Sequence, residues 1–166
     1  MTAIDEPCYG SCYELWDETR GAEIIADQAG QEGATLVILH ALQQAFGYVP
    51  QAAIPMVAQA LNLSRAEVHG VFTFYHDFRH KPAGRHVLKL CRAEACQAAG
   101  GDMLAARAEA KLGISLGNTT ADDRVTLEPI YCLGLCATAP SAMLDGRLVG
   151  RLDDKRLDAL LAEAQR

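Results

Sequence analysis

A chain of 166 residues has room for one ordinary domain, or for a small domain with an extension. Half of its residues are hydrophobic and 22% are charged, a balance that excludes fibrous and disordered classes. The net charge of −6, with the basic residues scattered, excludes a nucleic-acid partner, because phosphate binding needs clustered Lys and Arg.

The N-terminal segment MTAIDEPCYGSCYELWDETR carries acidic residues where a secretory signal needs positive charge and then an apolar run. Apolar stretches such as Ala34–Ala41 are too short to span a bilayer, so no direct membrane insertion is expected. These features imply a cytoplasmic, reducing address, where six cysteines are not expected to form structural disulfides.

Residues 1–18, with Pro7 and Gly10, read as a loosely ordered lead-in, and 19–83 read as helical. Thr35–Phe46 is an apolar-rich helix, closed by Gly47 and followed by Pro50. A shorter helix over 51–61 tolerates Pro55 only in its first turn. Ser64 and Glu67 have capping-box spacing, and the helix they open points Val68, Val71, Phe72 and Tyr75 at a core. Lys81-Pro82-Ala83-Gly84 breaks the pattern and places a boundary there.

From 84 to 166 the rhythm changes. His86–Leu90 is a short strand ending at Cys91, and a helix is expected over 97–112. Val125–Tyr131 is a second strand, with Pro129 arguing for an edge or a bulge. Ala142–Leu144 and Arg147–Val149 flank Asp145-Gly146, a two-residue hairpin signal. A last amphipathic helix begins near Asp153 and shows Leu157, Leu160 and Leu161 on one face. The fold class is therefore α/β: an N-terminal helical bundle, then a small strand–helix–strand–hairpin–helix layer.

Cys91 and Cys96 are separated by four residues, and Cys132 and Cys136 by three, after a long gap. A strand–helix–strand unit makes its two strands parallel, so both cysteine loops fall at one sheet edge, where open α/β sheets place ligands. Gly134 lets the second loop turn tightly around a bulky ligand. Thiolates select zinc, copper(I) or iron–sulfur clusters. Wide arms suit a two-iron cluster, whose irons need two thiolates each, whereas zinc more often takes tighter knuckles. Structural zinc and unliganded thiols stay open as alternatives at this point.

The motifs CRAEAC and YCLGLCATAP resemble those of the thioredoxin-like [2Fe–2S] ferredoxins, and the upstream motifs LHALQQAFGYVP and GVFTFYHDF are similar too. Together they cover about 20–165 and point to the small iron–sulfur subunits of complex I and of related NAD-linked enzymes. The wording CRAEACQ with LEPIYCLGLC looks closest to the gamma subunit of soluble NAD-dependent formate dehydrogenase. The resemblance implies a thioredoxin-like ferredoxin domain with one [2Fe–2S] cluster on Cys91, Cys96, Cys132 and Cys136. It implies a flavoprotein partner carrying FMN and NAD, and a larger molybdenum- and iron–sulfur-containing subunit. FMN, NAD and the molybdenum cofactor are expected only in those partners. The chain itself shows no dinucleotide loop after a strand and no acid–base pair, so no catalytic residue is expected in it.

Other residues have plainer readings. Cys8 and Cys12 read as free thiols rather than a second metal site, and His76 and His80 as a solvated helix end rather than a ligand pair. His69 and His86 read as surface or satisfied residues. Phe72, Phe74, Tyr75 and Phe78 read as core packing, with a docking surface as the alternative. Pro140 stands where thioredoxin-like folds often carry a cis proline, and Arg85, Lys89 and Arg92 are cations near the first cysteine loop, either tuning charges or ordinary surface charge. Gly100-Gly101 and Gly113 read as helix-end punctuation.

Overall fold

The computed structural model describes residues 13–166; Cys8, Cys12 and most of the expected lead-in lie outside the described residues. The described chain divides between Pro82 and Ala83 into two compact units.

The first unit holds four helices, α1 (Glu18–Gln28), α2 (Ala34–Phe46), α3 (Ala53–Ala60) and α4 (Arg65–Phe74). Its core is built from the apolar face of α2, with Ile38, Leu39, Leu42 and Phe46, closed by Val57, Val68, Phe72 and Phe78. Full burial of such side chains contributes about 1.5–3 kcal/mol each relative to exposure. Gly47, at φ 77°, ends α2 in the left-handed conformation that a glycine adopts without strain. Pro55 falls in the first turn of α3, where its missing N–H costs no helical bond. At the start of α4 the Ser64 hydroxyl accepts from the Glu67 N–H at 3.2 Å, and the Glu67 carboxylate accepts from the Ser64 N–H at 2.8 Å.

Two expectations are corrected here. Tyr75 is 44% exposed, because α4 ends at Phe74 and the chain turns out of helical register before the ring can point inward. Within the expected lead-in, residues 13–17 are held in place: Glu14 N–H donates to the Ala45 carbonyl at 2.9 Å, and Trp16 packs edge-on against Phe46. His76 and His80 lie beyond the end of α4, and His80 rests against Phe72 with ring centroids 4.2 Å apart.

The second unit is a five-stranded sheet in the order β2-β3-β1-β4-β5, with β1 (His86–Cys91), β2 (Asn118–Thr119), β3 (Val125–Ile130), β4 (Ala142–Leu144) and β5 (Arg147–Val149). β1 pairs parallel with β3, from His86 opposite Val125 to Cys91 opposite Ile130, and antiparallel with β4. Its burial runs through consecutive residues such as Val87 and Leu88, as expected of a central strand covered on both faces. β2 reaches only Thr126 and Leu127, so Pro129 lies on an unaccompanied stretch of the β3 edge, where a missing N–H is tolerated. Asp145 and Gly146, at φ 49° and 82°, make the two-residue β4–β5 turn.

The helix expected over 97–112 is two helices, α5 (Glu94–Ala98) and α6 (Gly101–Leu112). Gly100, at φ 92°, separates them, and α5 takes in Cys96. Helix α7 (Asp154–Ala164) is capped by the Asp153 side chain and buries Leu157, Leu160 and Leu161 against Leu88, Leu104, Leu127 and Leu144.

Helices α6 and α7 are clamped by charge. Arg107 donates two hydrogen bonds to the Asp158 carboxylate, at 3.0 and 2.8 Å, and Lys111 Nζ lies 2.7 Å from the same group. The Arg107 bonds, then the Lys111 bond, hold the Asp158 carboxyl well below the usual range. A carboxyl with a lowered folded pKa stabilises the fold above its unfolded value, 3.8, and loses that contribution as pH falls below it. Asp158→Asn is therefore expected to lower the urea midpoint near neutral pH, and the gap to the native chain should close below about pH 4. Urea titrations of both proteins across that range check it; a gap independent of pH would rule out the ionic clamp.

Candidate metal centre

The parallel pairing of β1 and β3 decides where the cysteines meet. Cys91 is the last residue of β1, opposite Ile130, and Cys132 follows β3 by two residues, so both leave the sheet at the same end. The Arg92 N–H donates to the Ile130 carbonyl at 2.7 Å and carries the pairing one residue beyond the strand. Cys96 returns to the same place on α5, and Cys136 on a single 3-10 turn, Cys136–Thr138.

The four thiols form an inner and an outer pair. Cys91 and Cys96 are buried, whereas Cys132 and Cys136 are exposed, with their sulfurs 4.0 Å apart. Among the described residues no three or more His, Cys, Asp or Glu side chains are arranged to hold one metal ion; the thiols stand as two pairs.

Contacts to sulfur knit the loops together. Burial pushes the Cys91 thiol up, yet hydrogen bonds from the Ala93 N–H, the Cys96 thiol, the Leu133 N–H and the Ser141 hydroxyl outweigh it and hold the thiol below its ordinary value. The Leu133 bond joins the second loop to the first. The Gly134 N–H donates to Cys132 Sγ at 3.3 Å. The Cys136 thiol is pushed up, first by its hydrogen bond with Cys132 and by the charge of that neighbour, with burial and the charges of Cys96 and Cys91 adding to it. The Cys136 thiol thus senses the other three sulfurs, and a positively charged core would relieve that repulsion.

The backbone is shaped to this purpose. Cys132 has φ 123° and Gly134 φ 75°. For glycine this is free, but for Cys132 it is a strained conformation of the kind that surrounding structure must enforce. The Ala139–Pro140 peptide is cis, and the next residue, Ser141, accepts the Cys91 N–H at 3.0 Å through its carbonyl. A Cβ on Gly101 would lie 2.6 Å from the Cys96 carbonyl oxygen, so α6 approaches the first loop as only glycine permits.

The three cations expected near the first loop separate. Arg85 stands at the far end of β1, because that strand runs from His86 toward Cys91. Lys89 is matched by Glu128 on the neighbouring strand at 3.4 Å. Arg92 stays at the loop, paired with Asp102 at 3.0 Å, and its Nε is buried without a hydrogen-bond partner. Ser141 carried no signal in the sequence: a serine ahead of a short strand is unremarkable until the fold sets it beside two thiols.

Residues 21–165 match the thioredoxin-like [2Fe–2S] ferredoxin family. The chain belongs to that family. Its cofactor is accordingly one [2Fe–2S] cluster. One subunit of the NADH-quinone oxidoreductase of Pseudomonas aeruginosa is 39% identical over 112 residues, which are 68% of each chain. A subunit of the NADP-reducing hydrogenase of Solidesulfovibrio fructosivorans is 32% identical over 80% of this chain and 78% of its own. The structure of an NAD+-reducing [NiFe]-hydrogenase in the H2-reduced state superposes with a TM-score of 0.65 at 32% identity; the match covers 76% of this chain and 22% of that one. What these similar proteins have in common by name is that each is, or is a subunit of, an oxidoreductase that works with a nicotinamide dinucleotide. Among the described residues no helix is long and apolar enough to cross a membrane.

Donor chemistry and shape fit this ferredoxin's cluster: two thiol pairs, N–H groups aimed at sulfur, and a tight glycine turn. Gly101→Ala is expected to push the Cys96 backbone outward, to cost roughly 1–3 kcal/mol through overpacking, and to lower iron per chain. Iron assay and the visible spectrum read the outcome, and full loading would show that the first loop can yield at no cost.

Proposed function

We propose that this ferredoxin is the electron-transfer subunit of an NAD-linked oxidoreductase, with Cys91, Cys96, Cys132 and Cys136 as its cluster ligands. The observation that carries the assignment is the convergence of both cysteine loops at the shared end of β1 and β3, where the Arg92 N–H beside Cys91 donates to the Ile130 carbonyl at 2.7 Å. When bound, the cluster supplies one-electron storage, at a charge of roughly −2 oxidised and −3 reduced. The buried inner pair keeps water from half of the site, and the exposed outer pair presents the other half to a partner. That partner is an FMN- and NAD-binding flavoprotein in a cytoplasmic complex. In this reading the chain carries electrons, and the catalytic residues belong to its partner subunits.

Similarity to the quinone oxidoreductase and hydrogenase subunits favours the complex I type of assembly over the formate dehydrogenase type. The formate dehydrogenase reading, with its molybdenum-containing subunit, rests on the CRAEACQ and LEPIYCLGLC wording. Co-purification of the native complex separates the two, since only one contains molybdenum.

The purified protein should be reddish-brown and bleach with dithionite, whereas a zinc-stabilised scaffold would be colourless. Replacing any one of the four cysteines with Ala should abolish or cripple the visible bands, because an iron loses a thiolate. The Cys8→Ala/Cys12→Ala double variant should keep its spectrum and iron; loss of iron there would overturn the ligand assignment.

Residues 19–83 are proposed as a docking domain and 84–166 as the cluster domain. Each of the two units has its own buried core. In the first, Phe74 is 73% exposed and packs edge-on against the half-exposed Tyr75. A fragment beginning at Gly84 should therefore retain iron yet bind the flavoprotein much more weakly than the full chain in a pull-down. Binding at full strength would remove the docking role from the helices.

A further inference from the structure

Among the described residues two polar residues are buried, Thr126 and Ser141. A buried hydroxyl is costly unless hydrogen-bonded. Thr126 is satisfied within the fold: it accepts from the Gly84 N–H at 2.7 Å and shares a bond with the Thr119 hydroxyl at 2.7 Å. Ser141 is 3% exposed, and its hydroxyl faces sulfur. Its Oγ lies 3.5 Å from Cys96 Sγ, and the same hydroxyl helps hold the Cys91 thiol below its ordinary value.

The backbone pins Ser141 there from both sides. Its carbonyl accepts the Cys91 N–H at 3.0 Å, and the preceding Pro140 carbonyl accepts the Leu152 N–H at 2.9 Å. A serine hydroxyl carries one proton to donate, and a metal-bound thiolate carries none. Once both cysteines are thiolates, the bond has one possible sense, from Oγ to sulfur.

We propose that Ser141 is a positioning residue that tunes the cluster, its buried hydroxyl donating to the inner thiolate pair Cys91/Cys96 and making the cluster easier to reduce. The inference rests on Cys91 and Cys96 being ligands. Reduction adds an electron to a site that is already anionic, and charge on the sulfurs grows. A donor fixed on those sulfurs therefore stabilises the reduced form more than the oxidised one and raises the potential. Because Ser141 is shielded from water, no solvent molecule is in place to supply the bond once the hydroxyl is removed.

The test compares the full-length, cluster-loaded native protein with Ser141→Ala, Ser141→Gly and Ser141→Thr in mediated redox titrations followed by visible bleaching. Ser141→Ala is expected to keep its iron and visible bands. Its reduced-to-oxidised ratio at a fixed potential should fall about tenfold, equivalent to a midpoint about 59 mV lower for a one-electron couple. Ser141→Thr, which keeps the hydroxyl, should stay near the native midpoint. An Ala variant with full iron and an unchanged midpoint overturns the proposal, as does a Thr variant that falls as far as Ala. Should Ala fail to load, Gly is read in its place. If neither loads while Thr does, the hydroxyl serves to build the site rather than to set its potential, and the tuning role is overturned. A colourless native protein would instead overturn the ligand assignment on which the inference stands.

Discussion

Parallel hydrogen bonding between β1 and β3 is the constraint on which the site depends. Cys91 and Cys132 are far apart in the chain, and only a register that sets Cys91 opposite Ile130 makes them leave the sheet together. A shift of one residue would turn the alternate side chains of β3 to the opposite face. Buried Val125 and Leu127 oppose that slip. The site is thus held by the core: the apolar side chains that fix the register also fix where the sulfurs converge.

Strain and charge are gathered at that one edge, and the fold offsets both. Cys132 is held at a positive φ, and the Cys136 thiol is pushed up by its bond to Cys132 and by the charges of the other three sulfurs. Neither feature would persist in an isolated loop. Backbone N–H groups from Ala93, Leu133 and Gly134 oppose the charge, and the cis Pro140 segment is tied to Arg151 and Leu152 through backbone bonds. The arrangement fits a site assembled to accept a cationic core.

Much of this was legible in the sequence because the signals were local. The Ser64–Glu67 box, the Asp145-Gly146 turn, the glycine stops after α2 and α6 and the apolar face of α7 each depend on a few neighbouring residues whose chemistry admits one conformation. The cysteine convergence was legible for a different reason, since strand–helix–strand topology has a fixed outcome. What escaped was short or non-local. Two residues of β2 are too few to show alternation, and the α5–α6 break turns on one left-handed Gly100 inside an otherwise helical pattern. Arg85 reads as near the cysteines in sequence but lies at the opposite end of the strand. The aromatic run divides two and two, with Phe72 and Phe78 buried and Phe74 and Tyr75 exposed, because α4 ends within it.

The site also explains why one small fold can serve enzymes with different overall reactions. Relatives as alike as a quinone oxidoreductase subunit and a hydrogenase subunit match this chain over more than two thirds of its length. What this chain brings to its sheet edge is a buried thiol pair and an exposed one, and neither refers to a final electron donor or acceptor. Choice of partner must then rest on residues that the cluster does not constrain. Exposed Tyr131 beside the outer thiols, and Phe74 with Tyr75 in the helical unit, are apolar groups left in water without a core role. Their exposure is costly in an isolated chain, and a partner that covered them would relieve that cost.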